Sequence, residues 1–268
     1  MVSLQYNSDP MDLLNSVITT RNLSKTFTVP VLQNINLDIK AAEIIGYIGP
    51  NGAGKSTTIK ILTGIISDFD GEATVLGFDI RKEALEVKKR IGYIPENASL
   101  YETLTPLEYL HFIGQLYKME HSKVDKKVKD LLNIFDLTSY IDSRMTTFSK
   151  GMRQKVLLIA GMIHNPSILF LDEPLSGLDA NAVILVKEIL TQLKRSGKTI
   201  FYSSHLMDIV EKISDRIMII NKGQLIANGT FEELNSQAKG SLEKIFTDLT
   251  GSKEHERTAG EFINILES

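Results

Sequence analysis

Gly49-Pro50-Asn51-Gly52-Ala53-Gly54-Lys55-Ser56-Thr57 satisfies the pattern G-x-x-x-x-G-K-[ST] and lies in the context that pattern requires. The apolar run Ile44 to Ile48 before it predicts a buried strand, and Thr57 to Ile65 after it predicts a helix. A loop wrapped around a triphosphate needs backbone angles closed to residues with a Cβ, so that successive N–H groups point inward. That need explains Gly49, Gly52 and Gly54, with Pro50, Asn51 and Ala53 completing the loop. The positive N-terminal end of the following helix adds to the attraction. Lys55 is expected to reach the β- and γ-phosphates, and the Ser56 hydroxyl to bind Mg²⁺, with Thr57 beside it. A turn that fits the pattern by accident is the alternative, and the flanking strand and helix argue against it.

The next informative stretch is Ile168-Leu169-Phe170-Leu171-Asp172-Glu173-Pro174, four apolar residues ending in two carboxylates. Such a run suits a strand buried on both faces of a parallel sheet. Carboxylates at its end are placed for chemistry at the sheet's C-terminal edge. Asp172 is expected to hold the magnesium through a water, and Glu173 to face the attacking water. An ordinary glutamate, with a pKa of about 4.3, is a weak base, so its expected part is to polarise and orient that water. Taken alone, these residues also suit a strand end with two solvated acids.

Downstream and upstream motifs then point to one family. Phe148-Ser149-Lys150-Gly151-Met152-Arg153-Gln154-Lys155 resembles the LSGGQ-R-Q signature of the nucleotide-binding subunits of ATP-binding cassette (ABC) transporters. It precedes the Asp-Glu strand, as in that family. Ser176-Gly177-Leu178-Asp179 resembles the family's D-loop, and Ser203-Ser204-His205, after a predicted strand from Thr199 to Ser203, its switch histidine. The resemblance covers roughly residues 17 to 235. It implies an α/β fold of the P-loop NTPase, ABC-ATPase type, with ATP and Mg²⁺ as cofactors. It also implies that two subunits meet head to tail, Ser149 and Gly151 of one capping the ATP held by the other. His205 then contacts the γ-phosphate and positions the water beside Glu173, while Asp179 lies across the dimer interface. One P-loop site leaves a γ-phosphate half exposed to water, where charge stabilisation is weak; a cap from a second helix N-terminus supplies what is missing. Taken singly, His205 also reads as the first residue of an amphipathic helix from Leu206 to Ile213.

Three positions depart from the family pattern. Glu96, in Ile91-Gly92-Tyr93-Ile94-Pro95-Glu96, stands where a glutamine is usual; it can still reach magnesium or the water, but adds negative charge beside a triphosphate. Lys150 and Met152 replace glycine and glutamine of the signature consensus. With Tyr-Ile-Pro-Glu upstream, this pattern resembles the bacterial exporter subgroup for drugs, lipids or polysaccharides, whose ATPase and membrane subunits are separate chains. Phe27 occupies roughly the position of the aromatic that stacks on adenine, and it also reads as a core aromatic.

Composition agrees. With 268 residues and 43% hydrophobic content, the chain can bury a substantial core in one main domain with lobes. Its net charge of −3 gives no hint of broad nucleic-acid affinity, and no nucleic-acid partner is expected. The basic stretch Lys118, His121, Lys123, Lys126, Lys127 and Lys129 reads as a solvated helix face. There is no cysteine, which fits a reducing compartment. Met1 to Asn15 does not read as a secretory signal, and no run approaches the roughly 20 apolar residues of a membrane span. The resemblance implies a cytoplasmic protein, peripheral on the cytoplasmic face of the cell membrane and partnered by a multi-spanning permease, and nothing in the composition opposes this expectation.

The map that results has an N-terminal extension (1–16), an ATPase domain (17–235) and a C-terminal helical tail (236–268). Residues 17–39 and 71–80 alternate apolar and polar positions, as in Ile35, Leu37 and Ile39, predicting an antiparallel β lobe. Strands at 44–48, 91–94, 168–171, 199–203 and 216–220, with helices between, predict a mostly parallel core sheet. Residues 98–164 predict a helical lobe that docks on the membrane partner, Thr105-Pro106 opening one helix. In the tail, Leu242, Ile245, Phe246 and Leu249 share one helix face, and Phe262, Ile263, Ile265 and Leu266 form a second cluster. These pack on their own domain or contact a partner. The expected protein is an ATPase that dimerises on ATP, with itself or a sister cassette, and powers export through a separate permease. The rival is a soluble ABC ATPase acting on ribosomes or DNA.

Overall fold

The computed structural model describes residues 16–96, 100–238, 240–251 and 261–266. The expected N-terminal extension, apart from Ser16, lies outside these residues.

Alternating patterns at the N-terminus form the antiparallel lobe. Strands β1 (Ser16–Thr26), β2 (Pro30–Lys40), β4 (Asp70–Val75) and β5 (Phe78–Asp79) make a sheet of order β2-β1-β4-β5. Their inward residues, among them Ile18, Leu23, Ile35 and Ile39, are fully buried.

The core sheet is six-stranded, in the order β10-β9-β3-β8-β7-β6. Strands β3 (Ile44–Ile48), β6 (Ile91–Ile94), β7 (Ile168–Asp172), β8 (Thr199–Ser203) and β9 (Arg216–Asn221) run parallel. β3, β7 and β8 are buried at every position, as strands covered on both faces must be. Side-chain alternation divides them between two cores. Ile44, Ile48, Leu169, Leu171 and Ile200 face the helical lobe, and Ile45, Tyr47, Phe170 and Phe201 face the antiparallel lobe.

One strand was absent from the sequence reading. β10 (Gln224–Gly229) pairs antiparallel with β9 and closes the sheet edge. The hairpin turns on Lys222 (φ 48°) and Gly223 (φ 76°), two positive angles that match the right-handed twist of the strands. The Lys-Gly pair is the signal, weaker than Asn-Gly because lysine resists a positive φ.

Helices α1 (Lys55–Leu62) and α2 (Ile80–Lys88) lie between the early strands. α1 starts two residues before the predicted Thr57, because Gly54 takes the left-handed angle (φ 112°) that lets the chain turn into it. The helical lobe holds α3 (Pro106–Leu116), α4 (His121–Ile134) and α5 (Lys150–Met162). α3 opens on a full capping box, Thr105 accepting from the Glu108 N–H and Glu108 from the Thr105 N–H, with Pro106 in its first turn. On α4 the apolar stripe Val124, Val128 and Leu132 is buried, Lys123, Lys126 and Lys129 are exposed, and Lys127 is half-buried.

After α6 (Ala180–Arg195) and α7 (Met207–Ile213), the chain ends in α8 (Phe231–Ala238) and α9 (Leu242–Thr250). α9 packs on its own domain: Leu242 and Ile245 are buried in the same core as α3 and α5, and the Leu242 N–H donates to Glu211 of α7 at 3.0 Å. The second cluster, Phe262, Ile263, Ile265 and Leu266, is helical and exposed. Ile245→Ala is expected to cost about 2–5 kcal/mol, as for other buried isoleucines. Urea unfolding checks this; an unchanged midpoint would mean that α9 lies outside the cooperative unit.

Candidate functional site: a P-loop at the edge of the core sheet

Parallel strands put their C-terminal ends on one edge. The order β3-β8-β7-β6 therefore lines up, side by side, the loop after Ile48, Ser204 and His205, Glu173, and Glu96.

At Gly49 and Gly54 the loop has no room for a larger residue. A Cβ on Gly49 would stand 2.3 Å from the Ile220 carbonyl oxygen, and one on Gly54 2.5 Å from Leu32 Cδ2. The loop is tied down by hydrogen bonds from the Ala53 N–H to the Pro50 oxygen (3.1 Å) and from the Gly223 N–H to the Ala53 oxygen (3.0 Å). Thr58, which the sequence reading passed over, donates its hydroxyl to the Gly54 oxygen at 3.0 Å and lies 3.2 Å from the buried Tyr47 hydroxyl. Lys55 folds back over the loop, donating to the oxygens of Gly49 (2.7 Å) and Pro50 (3.2 Å). Asn51 and Gly52 are exposed at the tip, and Ser56 and Thr57 are half-buried in the first turn of α1.

Burial lowers the pKa of Lys55; the charges of Glu173, then Asp172, then Glu96 oppose that shift. Residues far apart in the chain thus form one electrostatic neighbourhood around this lysine. An anion seated against Lys55 would favour its charged form. Burial, aided by Asp172, pushes the Tyr93 phenol up to about 12, so it stays neutral beside the carboxylates.

Asp172 is 3% exposed and accepts from the Ser203 hydroxyl at 2.5 Å, the two residues being paired across β7 and β8. Ser203 as the partner of Asp172 is visible only once the strands are paired. Glu173 leaves the strand with φ 50°, an angle uncommon outside glycine, and its N–H donates to the Ser203 oxygen at 3.1 Å. Its carboxylate is 12% exposed and lies 2.8 Å from His205 Nδ1, with the Ser204 hydroxyl at 3.4 Å. His205 sits on the loop ahead of α7, not at the head of a helix, and is 67% exposed. Glu96 is exposed just beyond β6.

Among the described residues no group of three or more His, Cys, Asp or Glu side chains could hold a metal by itself. One hydroxyl (Ser56), one buried carboxylate (Asp172) and Glu96 instead fit a Mg²⁺ that takes its remaining ligands from phosphate oxygens and water.

Phe27 lies in the turn between β1 and β2 and is 57% exposed, which sets aside its reading as a core aromatic. One contact to its ring comes from the Lys25 ammonium, 4.8 Å from the centroid; Lys25 is itself buried and paired with Asp68 at 2.7 Å.

The signature residues are arranged separately. Ser149 caps α5, accepting from the Met152 N–H at 3.2 Å, and the helix runs from Lys150 to Met162. A Cβ on Gly151 would stand 2.6 Å from the Gly177 oxygen, so only glycine lets α5 meet the 174–179 turn this closely. Gln154, buried, donates to the Pro174 oxygen at 2.9 Å. Asp179 caps α6 through the Ala182 N–H, a bond that, with Lys155 at 3.7 Å, holds its carboxyl below the usual range. The contacts of Ser149, Gly151 and Asp179 among the described residues run to α5, α6 and this turn. The P-loop is not among them.

Comparison with known proteins gives the same reading. The family model for ABC transporters matches residues 32–176. The ABC transporter ATP-binding protein NatA of Bacillus subtilis (strain 168) is 36% identical over 237 residues, covering 86% of this chain and 96% of the relative. The linearmycin resistance ATP-binding protein LnrL of the same organism is 36% identical over 225 residues, covering 84% of this chain and 72% of the relative. A solved structure of an ATP-binding subunit of an ABC transporter superposes with a TM-score of 0.82 at 30% identity, covering 88% of this chain and all of that one. The chain belongs to the ABC transporter family, as one of its ATP-binding ATPase subunits.

Proposed function

We propose that this subunit dimerises head to tail on ATP and hydrolyses it to drive export through a separate membrane permease. The observation that carries the reading is the division of the site. Lys55, Asp172, Glu173 and Glu96 gather at the sheet edge, whereas Ser149, at the N-terminus of α5, caps its own helix and Gly151 meets the 174–179 turn. Each chain then offers one complete P-loop and one unused helix N-terminus, and two chains supply two closed sites.

In such a site the P-loop N–H groups and Lys55 hold the phosphates. The partner's α5 N-terminus caps the γ-phosphate and excludes water, which strengthens every charge interaction inside. Mg²⁺, held by Ser56 and through water by Asp172, with Glu96 within reach, would neutralise phosphate charge. His205 holds Oε2 of Glu173, so Oε1 is left to orient the attacking water. Asp179, exposed at the head of α6, faces the second subunit in this arrangement, and Phe27 offers its exposed ring to adenine.

A groove of about 370 Å³ supports docking of a permease segment. It runs between β6 and the helical lobe, lined by Tyr93, Pro95, Tyr109, Ile113 and Tyr117, and so includes the residue that precedes Glu96 in the chain. No helix among the described residues is long and apolar enough to cross a membrane. The resistance named for LnrL supports export, and a peripheral place on the cytoplasmic face follows from the same reading.

The test is a pull-down of tagged Glu173→Gln protein from detergent-solubilised membranes with ATP and Mg²⁺, read by mass spectrometry. A multi-spanning membrane protein is expected. Ribosomal proteins or DNA-bound factors without such a chain would transfer the assignment to the soluble class of ABC ATPases.

A further inference from the structure

Lys150 stands where the family's signature has glycine, and its side chain has a defined place. Its ammonium donates to the Ser176 hydroxyl at 2.8 Å. Its stem lies over Gly177, where a Cβ would stand 2.9 Å from its Cγ and Cδ. Ser176 in turn donates its N–H to the Glu173 oxygen at 3.2 Å. An unbroken series of contacts thus runs from the first residue of α5 to the backbone of the carboxylate that faces the water. Glu173 is held at φ 50°, so the aim of its side chain depends on how the turn after it is fixed.

We propose that Lys150 is a positioning residue for hydrolysis: by gripping Ser176, it conveys the seating of the α5 N-terminus on nucleotide to Glu173 in its own chain. The proposal rests on the head-to-tail capping described above. A signature with glycine at this position has no side chain to make the link. In this chain, closing over the partner's ATP and aiming the glutamate of the other site become one movement. Gln154 and the Gly151–Gly177 contact secure the rest of the turn, and Lys150 is exposed, so replacing it leaves the fold intact.

The test compares ATP hydrolysis by the full chain as wild type, Lys150→Met, Lys150→Arg, Ser176→Ala and the Lys150→Met/Ser176→Ala pair. Methionine keeps the stem over Gly177 and removes the donor. One hydrogen bond of ordinary strength predicts a kcat roughly two- to ten-fold lower with KM unchanged. Ser176→Ala should give a similar loss, the pair no further loss, and Lys150→Arg should restore most of the rate. An unchanged kcat in Lys150→Met, or single losses that multiply in the pair, would overturn the proposal. So would a rise in KM at constant kcat, which would mark Lys150 as a direct nucleotide contact. ATP-dependent dimerisation of Glu173→Gln is measured alongside by size-exclusion chromatography. Its absence would remove the capping arrangement itself, and the role of Lys150 with it.

Discussion

Glu173→Gln is expected to lower ATP turnover by roughly 10²–10⁴-fold, the range for loss of a positioned general base. The substitution preserves shape and changes charge. Glutamine can occupy the same backbone angle and can still meet His205 and Ser204, so the site keeps its architecture while its amide no longer attracts a water proton. Nucleotide affinity should stay within about two-fold, because the P-loop and Lys55 are untouched. With hydrolysis blocked, the ATP-bound dimer accumulates. Single-turnover hydrolysis, equilibrium nucleotide binding and size-exclusion chromatography check the three parts. Near-normal hydrolysis would remove Glu173 from its role, whatever the behaviour of the dimer.

Lys55→Ala acts on the other half of the site and should fail in a different way. Its ammonium, lying over the oxygens of Gly49 and Pro50, is the one cation of the P-loop. A charge-assisted hydrogen bond of about 1.5–3 kcal/mol corresponds to roughly 10–150-fold weaker binding of ATP. Folding should suffer little, since burial already disfavours this charge and the carbonyls it leaves lie beside an open loop. Calorimetric titration with ATP reads the effect. Unchanged affinity would leave the phosphates to the backbone N–H groups alone.

Some of the site is legible in the chain because its physics is local. Gly49 to Thr57 must form a phosphate-sized loop wherever a strand precedes it and a helix follows. Ile168 to Glu173 must carry carboxylates to a strand end, since four apolar residues cannot end anywhere but at the edge of a core. Alternation along β1 and β2 gave the antiparallel lobe for the same reason. What escaped depends on pairing. β10 is a half-exposed edge strand behind a Lys-Gly turn, too weakly apolar to show a period. The head of α1 was placed late because the starting angle belongs to Gly54, not to any helix-forming residue.

Sequence by itself determined that a P-loop, a signature helix, two terminal carboxylates and a histidine follow one another in this order. Local backbone demands and apolar periodicity suffice for that. Only the tertiary structure decided which of them meet. The strand order β3-β8-β7-β6 inserts β8 between the P-loop strand and the Asp-Glu strand, which puts Ser203 on Asp172 and His205 on Glu173. The packing of α5 on the 174–179 turn brings Lys150 to Ser176 and Gly151 to Gly177. Contacts between residues remote in the chain are settled by strand order and by how closely two backbones approach, and neither leaves a period that a one-dimensional pattern can show.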